Sequence, residues 1–194
     1  MRLEPVTLED DHVALEQLTL DHVSGLEMAA ADGDLWNLRV THVPKPGAMQ
    51  AYVEKALAMQ ATGKSLPFAV RDKRDDAIAG STRFYDFDAD VPRVLIGYTW
   101  YAASRQRTYV NTACKLLLVD HALDTLGCAA VGWETDLLNT RSQQAIERLG
   151  AHRDGVLRQH KRRPDGSVRD TVSYSITSRE WPEKREVLRA RLFR

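Results

Sequence analysis

Apolar and polar residues follow two different periodicities along the chain, and each predicts one kind of element. Short β-prone apolar runs, bounded by turn residues, predict strands. These strands are expected at 3–6, 66–71, 77–85, 94–101, 129–133, 156–161 and 168–177. Apolar residues spaced three and four apart predict helices. These are expected at 8–20, capped by Thr7, at 48–62, from 112 up to Gly127, at 140–149 and in the charged tail after Trp181-Pro182.

The order of these elements predicts a mixed sheet. Short turns, among them 72–76, favour an antiparallel meander of the strands before residue 101. The strand–helix–strand from 94 to 133 is long enough for a parallel crossover. A final hairpin should turn at Pro164-Asp165-Gly166. The fold class expected is therefore α+β, with a mostly antiparallel sheet flanked by helices.

Composition narrows the function classes. The 194 residues suit one domain, 1–194, and no apolar run or signal-peptide core predicts a membrane or secreted protein, so a cytoplasmic location is expected. Cys114 and Cys128 have no metal-ligand spacing and are expected to be buried free thiols. The net charge is zero, with an acidic front and a basic end, which argues against direct nucleic-acid binding.

One loop is a candidate phosphate site. Residues 106–111 join an apolar strand to a helix, so unpaired amides and the helix dipole meet there. Arg107 and Thr108 could add side-chain donors, and Asn111 is suited to cap the helix. The loop has no glycine, and taken alone it is better interpreted as an ordinary capped loop.

Four segments in order resemble one family, and together with the element order they cover nearly the whole chain. They are 97–100 (Gly-Tyr-Thr-Trp), 106–111, 139–151 and 155–170. In these segments the chain resembles the GNAT acyl-CoA-dependent N-acetyltransferases, above all the branch of ribosomal-protein N-terminal acetyltransferases (RimJ/RimL-like). The resemblance implies the GNAT fold, in which the central sheet splays between its fourth and fifth strands. It also implies acetyl-CoA as co-substrate and no metal.

The resemblance assigns the donor site. Family members hold the CoA pyrophosphate on loop amides with the pattern Arg/Gln-x-x-Gly-x-Gly/Ala. Here Tyr109 and Asn111 replace the small residues, although the amides remain. Pantetheine is expected in the splay, beside the fourth strand. The implied donor-binding residues are Trp100, Tyr101, Ala102, Gln106, Arg107, Thr108, Tyr109, Val110, Asn111, Asn139 and Ser142.

The chemistry needs a neutral amine, an oxyanion donor and a proton for the leaving thiolate. By resemblance Ser142 supplies that proton, and Asn139 caps the helix and touches pantetheine; a capping role alone is the alternative for both. Family members often carry a glutamate where this chain has Leu95 and Ile96. The base is therefore left open. The candidates are Glu134, Asp170, Asp136, His160 or a water chain.

Acceptor contacts are predicted from the regions that wall the acceptor cleft in the family. The candidates are Trp36, Arg83, Tyr85 and Trp133, although each is more often a core or surface residue. Arg141 and the basic run 160–163 could meet a phosphate or an acidic partner.

Three functions follow, in order. The first is acetyl transfer to a primary amine of a protein N-terminus, an amino acid or a small molecule. The second is a non-catalytic acyl-CoA-binding module, and the third is a ribosome- or RNA-associated protein. The sequence leaves the oligomeric state open, with a homodimer among the alternatives.

Overall fold

The computed structural model describes residues 3–37, 43–163 and 165–192. Its strands form one eight-stranded sheet in the order β1-β2-β3-β4-β5-β6-β8-β7. The strands are β1 (Leu8–Glu9), β2 (Val13–Gln17), β3 (Ser65–Asp72), β4 (Ala77–Asp88), β5 (Arg93–Tyr101), β6 (Ala130–Asp136), β7 (His152–Arg162) and β8 (Val168–Thr177). Neighbouring strands run antiparallel except for β5 and β6, so the predicted meander, crossover and mixed sheet are confirmed.

Five α-helices cover the two faces of the sheet in the described part of the chain. They are α1 (Val23–Ala31), α2 (Met49–Ala61), α3 (Val110–Asp120), α4 (Thr140–Glu147) and α5 (Trp181–Leu192). A π-helical turn, His121–Thr125, extends α3 toward Gly127, whose positive φ of 64° fits the expected helix end. Within these ranges no helix has the length and apolar character to cross a membrane.

The helix predicted at 8–20 is wrong, because β1 and β2 occupy that segment. The Asp10 carboxylate accepts hydrogen bonds from the amides of His12 and Val13, both at 2.8 Å, and so stabilises a tight turn between the strands. β2 lies between β1 and β3, where Val13 and Leu15 share one buried face. Pairing within the sheet thus overrides the local helical pattern. The strand predicted at 3–6 is absent from the described structure as well.

Two apolar clusters hold the helices against the sheet. α3 and α5 pack on one face, where Phe68, Phe84, Tyr174 and Trp181 are fully buried. α1 and α2 pack on the other face in a smaller cluster that includes Trp100. The sheet is therefore covered on both faces where β3, β4 and β5 lie.

The sheet opens between β5 and β6, which are the fourth and fifth strands of the predicted fold. They pair only from Arg93 to Leu95 on β5, and beyond that point the edge of β5 that faces β6 has no partner strand among the described residues. A bulge follows on β5, where Tyr98 and Thr99 together oppose the single residue Thr82 of β4. Tyr98 takes a positive φ of 52° at this bulge. The predicted splay is therefore confirmed. Of the predicted turn at 164–166, Pro164 lies outside the described residues.

Candidate active site

A cavity of about 570 Å³ lies in the gap between β5 and β6. One wall, here called the donor wall, consists of β5, the following loop and α3. The opposite wall consists of β6 and α4, and the end of the β7–β8 hairpin lies beside it. The structure brings ten of the predicted site residues to this cavity: Tyr85, Trp100, Tyr101, Gln106, Arg107, Asn111, Trp133, Glu134, Asn139 and Ser142.

Several backbone N–H groups of the donor-wall loop and of the first turn of α3 are free, and they lie at the end of α3 that is nearest the cavity. In the described part of the chain, the backbone N–H groups of residues 107, 108, 109, 111 and 112 donate to no protein group. They cluster where the helix dipole is positive, and Arg107 and Asn111 line the cavity beside them. This is the arrangement that binds phosphate at helix N-termini.

A buried carboxylate fixes the loop from behind. Asp72, whose side chain is fully buried, accepts hydrogen bonds from Arg105 Nη1 at 2.8 Å and from the Tyr109 hydroxyl. Arg105 also bonds Asp75, and Arg74 lies 3.5 Å from Asp72. Burial and the bond to Asp72 raise the pKa of Tyr109. The Tyr109 side chain therefore stabilises the loop, and its ring does not line the cavity.

The dihedral angles explain how the loop forms without glycine. Tyr109 has φ −64° and ψ −24°, which any L-residue adopts readily. The left-handed position is instead Arg107, with φ 63°. The absent glycine at position 109 is therefore not needed for the backbone path, and any strain lies two residues earlier.

Helix α3 is capped differently from the prediction. The helix begins at Val110, so Asn111 lies inside its first turn and the predicted capping by Asn111 is wrong. The Thr108 hydroxyl accepts from the Val110 amide at 3.3 Å and donates to the Arg105 carbonyl at 2.7 Å. Thr108 is thus engaged within the loop, and Val110 is buried in the core. Ala102 is buried next to the loop and, like both of them, lies outside the cavity lining.

The opposite wall presents side chains. Asn139 Oδ1 accepts from the Ser142 amide at 3.0 Å, so the predicted capping of α4 is confirmed. The Ser142 hydroxyl lines the cavity and has no hydrogen-bond partner within the described ranges. Gln106 Nε2 donates to the Tyr101 carbonyl at 2.7 Å, while Arg141 donates to Gln106 Oε1 across the gap. The two walls are thus linked at the loop.

Of the four side chains that are candidates for the general base, only one lines the cavity in the described part of the chain. Glu134 lines the cavity, with Oε2 held 2.6 Å from Lys161 Nζ. Asp136 is buried and bound to Arg163; burial raises its pKa, but the bonds from Arg163 and the Leu138 amide outweigh this and lower it. Asp170 accepts from the Gln159 amide at 2.8 Å and lies outside the cavity lining, as does the exposed His160.

Of the four predicted acceptor residues, two line the cavity and two do not. Tyr85 and Trp133 line the cavity, and burial raises the pKa of Tyr85 well above its usual range, so its hydroxyl stays protonated. Trp36 packs against the cluster of α1 and α2. Arg83 is buried, with its guanidinium carbon 4.2 Å from the centre of the Tyr98 ring. Among the described residues, neither Trp36 nor Arg83 belongs to the cavity lining.

Sequence reasoning missed a buried lysine. Lys115 lies on α3 one turn after Asn111, lines the cavity and places Nζ 3.0 Å from the Thr99 hydroxyl. Burial lowers its pKa to about 8. A lysine within the apolar run 113–119 was the available signal, because such a run places its residues against the core.

The cysteines are buried free thiols, as predicted. Cys114 is next to Lys115 in sequence, and burial raises its pKa to about 12, so it remains a thiol at neutral pH. Within the ranges that the structure describes, no three His, Cys, Asp or Glu side chains group as metal ligands.

The comparisons with known proteins agree with this geometry. The family described as acetyltransferase (GNAT) domain matches residues 12–152. A candidate acetyltransferase from T. thermophilus is 32% identical with a TM-score of 0.86, covering 99% of this chain and 100% of its own. A GCN5-related N-acetyltransferase from Brucella melitensis is 27% identical with a TM-score of 0.88, covering 99% and 87%.

More distant structures share the fold. Mycobacterium smegmatis RimJ, in complex with CoA-disulfide, is 20% identical with a TM-score of 0.80, covering 96% of this chain and 95% of its own. At that identity the likeness concerns the fold alone, so the RimJ/RimL-like branch is not established by it. Among curated proteins, none matches the sequence.

Proposed function

The chain belongs to the acetyltransferase (GNAT) family, and we propose that it transfers an acetyl group from acetyl-CoA directly to a primary amine. One observation carries the proposal. In the described part of the chain, free loop amides lie beside Arg107 and Asn111 on the donor wall of the cavity, and Ser142, whose hydroxyl has no partner, lines the opposite wall. The amides suit a pyrophosphate and the hydroxyl suits a leaving thiolate, and the open β5 edge lies between them.

Donor binding follows from the donor wall. The free amides of residues 107, 108, 109, 111 and 112 would hold the pyrophosphate, with Arg107 and Arg141 adding charge beside them. The unpaired edge of β5 after Leu95 would bond the pantetheine amides as an added strand does. Trp100 and Tyr101 are buried, so they contribute backbone groups and packing rather than free side chains.

Acyl transfer needs no covalent enzyme intermediate. The neutral amine attacks the thioester carbonyl, the new C–N bond forms, and the C–S bond breaks as the tetrahedral intermediate collapses. We assign Ser142 to give its hydroxyl proton to the departing thiolate and to regain one from solvent. Because Asn139 already caps α4, the Ser142 side chain is not required for capping.

The amine must lose a proton, and Glu134 is the carboxylate best placed to accept it. It is the predicted base candidate that lines the cavity, and Lys161 holds only its Oε2 atom. The position of Asp170 away from the cavity supports a structural role for its carboxylate, since the Gln159 amide already bonds it. Proton loss to solvent through water remains the second route.

The acceptor class is an amine of a protein N-terminus, an amino acid or a small molecule. Tyr85, Tyr98 and Trp133 supply aromatic surface on the acceptor side. Lys161, Arg162 and Arg169 add positive charge from the hairpin, which favours an amine whose molecule also carries an acidic group.

The proposal is tested with purified protein, acetyl-CoA and a panel of amino acids, short peptides with free N-termini and small amines. Release of the CoA thiol is followed with a thiol reagent, and each acceptor product is confirmed by mass. The expected result is thiol release that requires both protein and acceptor. A protein that fails to bind CoA in a direct titration would overturn the proposal.

A non-catalytic acyl-CoA-binding module is the second candidate. Leu95 and Ile96 occupy the positions where family members often carry a glutamate, and both are buried. Tight CoA binding without turnover on any acceptor of the panel would favour this second function.

A further inference from the structure

Lys115 places a buried ammonium group in the proposed donor site. The residue is 4% exposed and lines the cavity. Its Nζ donates to the Thr99 hydroxyl at 3.0 Å and lies 3.4 Å from the Thr82 hydroxyl. An ammonium has three N–H donors, so one remains for a further acceptor.

This charge has no counter-ion in the described part of the chain. Among the described residues, no carboxylate lies within ion-pair distance of Lys115 Nζ. The buried aspartates in the described ranges are compensated, since Asp72 binds Arg105 and Asp136 binds Arg163, whereas the buried Arg83 lies over the Tyr98 ring. Burial lowers the Lys115 pKa only to about 8, so the ammonium form still dominates at neutral pH. An uncompensated buried ammonium is costly, whereas an anion bound beside it offsets that cost.

The position of the ammonium indicates which anion fits. Thr82 and Thr99 belong to β4 and β5, so Nζ lies over that strand pair. The pyrophosphate site lies one helical turn away, at the start of α3. The open β5 edge after Leu95, along which the pantetheine arm and the thioester of a bound CoA would lie, includes Thr99, the residue that Nζ contacts. A two-carbon acetyl group ends in a methyl group and offers Lys115 no charge, whereas a longer acyl group can carry a carboxylate to it.

Resting on the proposed function, we infer that the cavity accepts a CoA thioester whose acyl group ends in a carboxylate, such as succinyl-CoA, and that Lys115 binds this carboxylate. The transfer is unchanged in its bonds: C–N forms, C–S breaks, and CoA leaves as the thiol. Lys115 thereby determines donor specificity, and Thr82 and Thr99 orient its Nζ.

The test compares two four-carbon donors that differ in the terminal group. Dissociation constants of CoA, butyryl-CoA and succinyl-CoA are measured by isothermal titration for the unmodified protein and for Lys115→Met. The expected result is that succinyl-CoA binds about 10-fold or more tightly than butyryl-CoA, as one charge-assisted hydrogen bond allows. Lys115→Met should lose this preference while its affinity for CoA stays within about two-fold.

Lys161→Met is the matched control, because it removes a lysine from the same cavity that already pairs with Glu134. It should keep the preference for succinyl-CoA. Equal affinity of the unmodified protein for the two donors, or a preference that survives in Lys115→Met, would overturn the inference. Equal affinity in the unmodified protein overturns the inference even where the variant does not fold. Binding of CoA without any preference defeats this inference alone, whereas loss of all CoA binding defeats the proposed function too.

Discussion

Two buried aspartates hold the two walls of the cavity, and they act on different parts of the chain. On the donor wall, Asp72 binds Arg105 and the Tyr109 hydroxyl. On the opposite wall, Asp136 accepts from Arg163 Nε at 2.6 Å and from the Leu138 amide at 2.9 Å. Asp72 therefore fixes the loop through the side chains of Arg105 and Tyr109, whereas Asp136 joins the end of β6 to the β7–β8 hairpin.

The difference lies in what each wall offers a ligand. The side chains of Thr108 and Tyr109 are engaged away from the cavity, and the loop presents backbone N–H groups. The opposite wall presents the side chains of Glu134, Asn139 and Ser142. Substitutions of the loop should therefore act through its backbone path and stability, whereas substitutions of the opposite wall should remove chemistry directly.

The largest effect is expected for Ser142→Ala. Loss of a general acid typically lowers the rate about 100-fold or more, so kcat should fall by that order. Because the α4 cap is formed by Asn139 and the Ser142 amide, the fold and the CoA affinity should change little. Steady-state kinetics, together with titration of CoA, measure the two quantities.

Asn139→Ala is the matched comparison for Ser142. It removes the cap and should lower the free energy of unfolding by about 1 kcal/mol. An unchanged kcat in Ser142→Ala would mean that the serine has only a structural role in α4. The inference that side chains of the opposite wall supply the chemistry would then be wrong.

Asp72→Asn is expected to have the next largest effect. The substitution leaves Arg105 without its buried partner and should lower the free energy of unfolding by about 3 kcal/mol. Since the loop amides would lose their fixed positions, the Kd for CoA should rise about 10-fold, which corresponds to about 1.4 kcal/mol. Urea unfolding and CoA titration measure the two effects.

The equivalent change on the opposite wall is Asp136→Asn, which removes the partner of Arg163. It should destabilise the protein to a similar degree but leave the CoA affinity nearly unchanged. If both variants weaken CoA binding equally, the inference that Asp72, and not Asp136, positions the CoA-binding loop is wrong.

Much of the fold could be predicted from the sequence because local signals and tertiary contacts agree there. The strands β3, β4 and β5 are β-prone apolar runs whose residues are mostly buried, and glycines mark the ends of α3 and α4. Agreement fails at 8–20, where Leu8, Val13, Leu15 and Leu18 suit helical spacing but pairing with β3 determines the structure. A single-sequence pattern contains no information on that partner.

In the candidate site, too, contacts between residues close in sequence could be predicted and contacts between distant residues could not. The capping pair of Asn139 and the Ser142 amide was predictable, because both residues lie within one helical turn. The Asp72–Tyr109 contact was not, because 37 residues separate its partners. Lys115 was missed for the same reason, since the Thr82 and Thr99 hydroxyls that bind it belong to other elements.

A pH profile tests whether Lys115, unlike Asp72 on the same wall, is a buried charge without a counter-ion among the described residues. Its pKa is lowered by burial to about 8, so between about pH 8 and 10.5 the unfolded chain binds more protons than the folded protein. The free energy of unfolding should therefore gain on the order of 3 kcal/mol from Lys115 as the pH rises through this window. Below pH 8 both states hold the proton, and the cost of burial is fully present.

The difference between the unmodified protein and Lys115→Met isolates this contribution, because other tyrosine, cysteine and lysine groups titrate in the same range. Urea unfolding at pH 7.5 and pH 10 should show the variant more stable at the lower pH, with the gap closing at the higher pH. A pH-independent gap would mean that Lys115 is compensated in the folded protein.

The smallest effect is expected where the loop replaces glycine. Arg107 holds a left-handed conformation that costs an L-residue roughly 1 kcal/mol, so Arg107→Gly should leave the free energy of unfolding unchanged or raise it by about 0.5 kcal/mol, after the entropy of glycine is subtracted. Tyr109→Gly restores the glycine of the family pattern at a residue that is already right-handed. It should instead lower the free energy of unfolding by about 2 kcal/mol, because the bond to Asp72 and a helix-compatible residue are both lost. Thermal unfolding of the two variants measures the opposite signs. If Tyr109→Gly proved the more stable of the two, the strain would lie at 109, and the inference that the backbone at position 109 needs no glycine would be refuted.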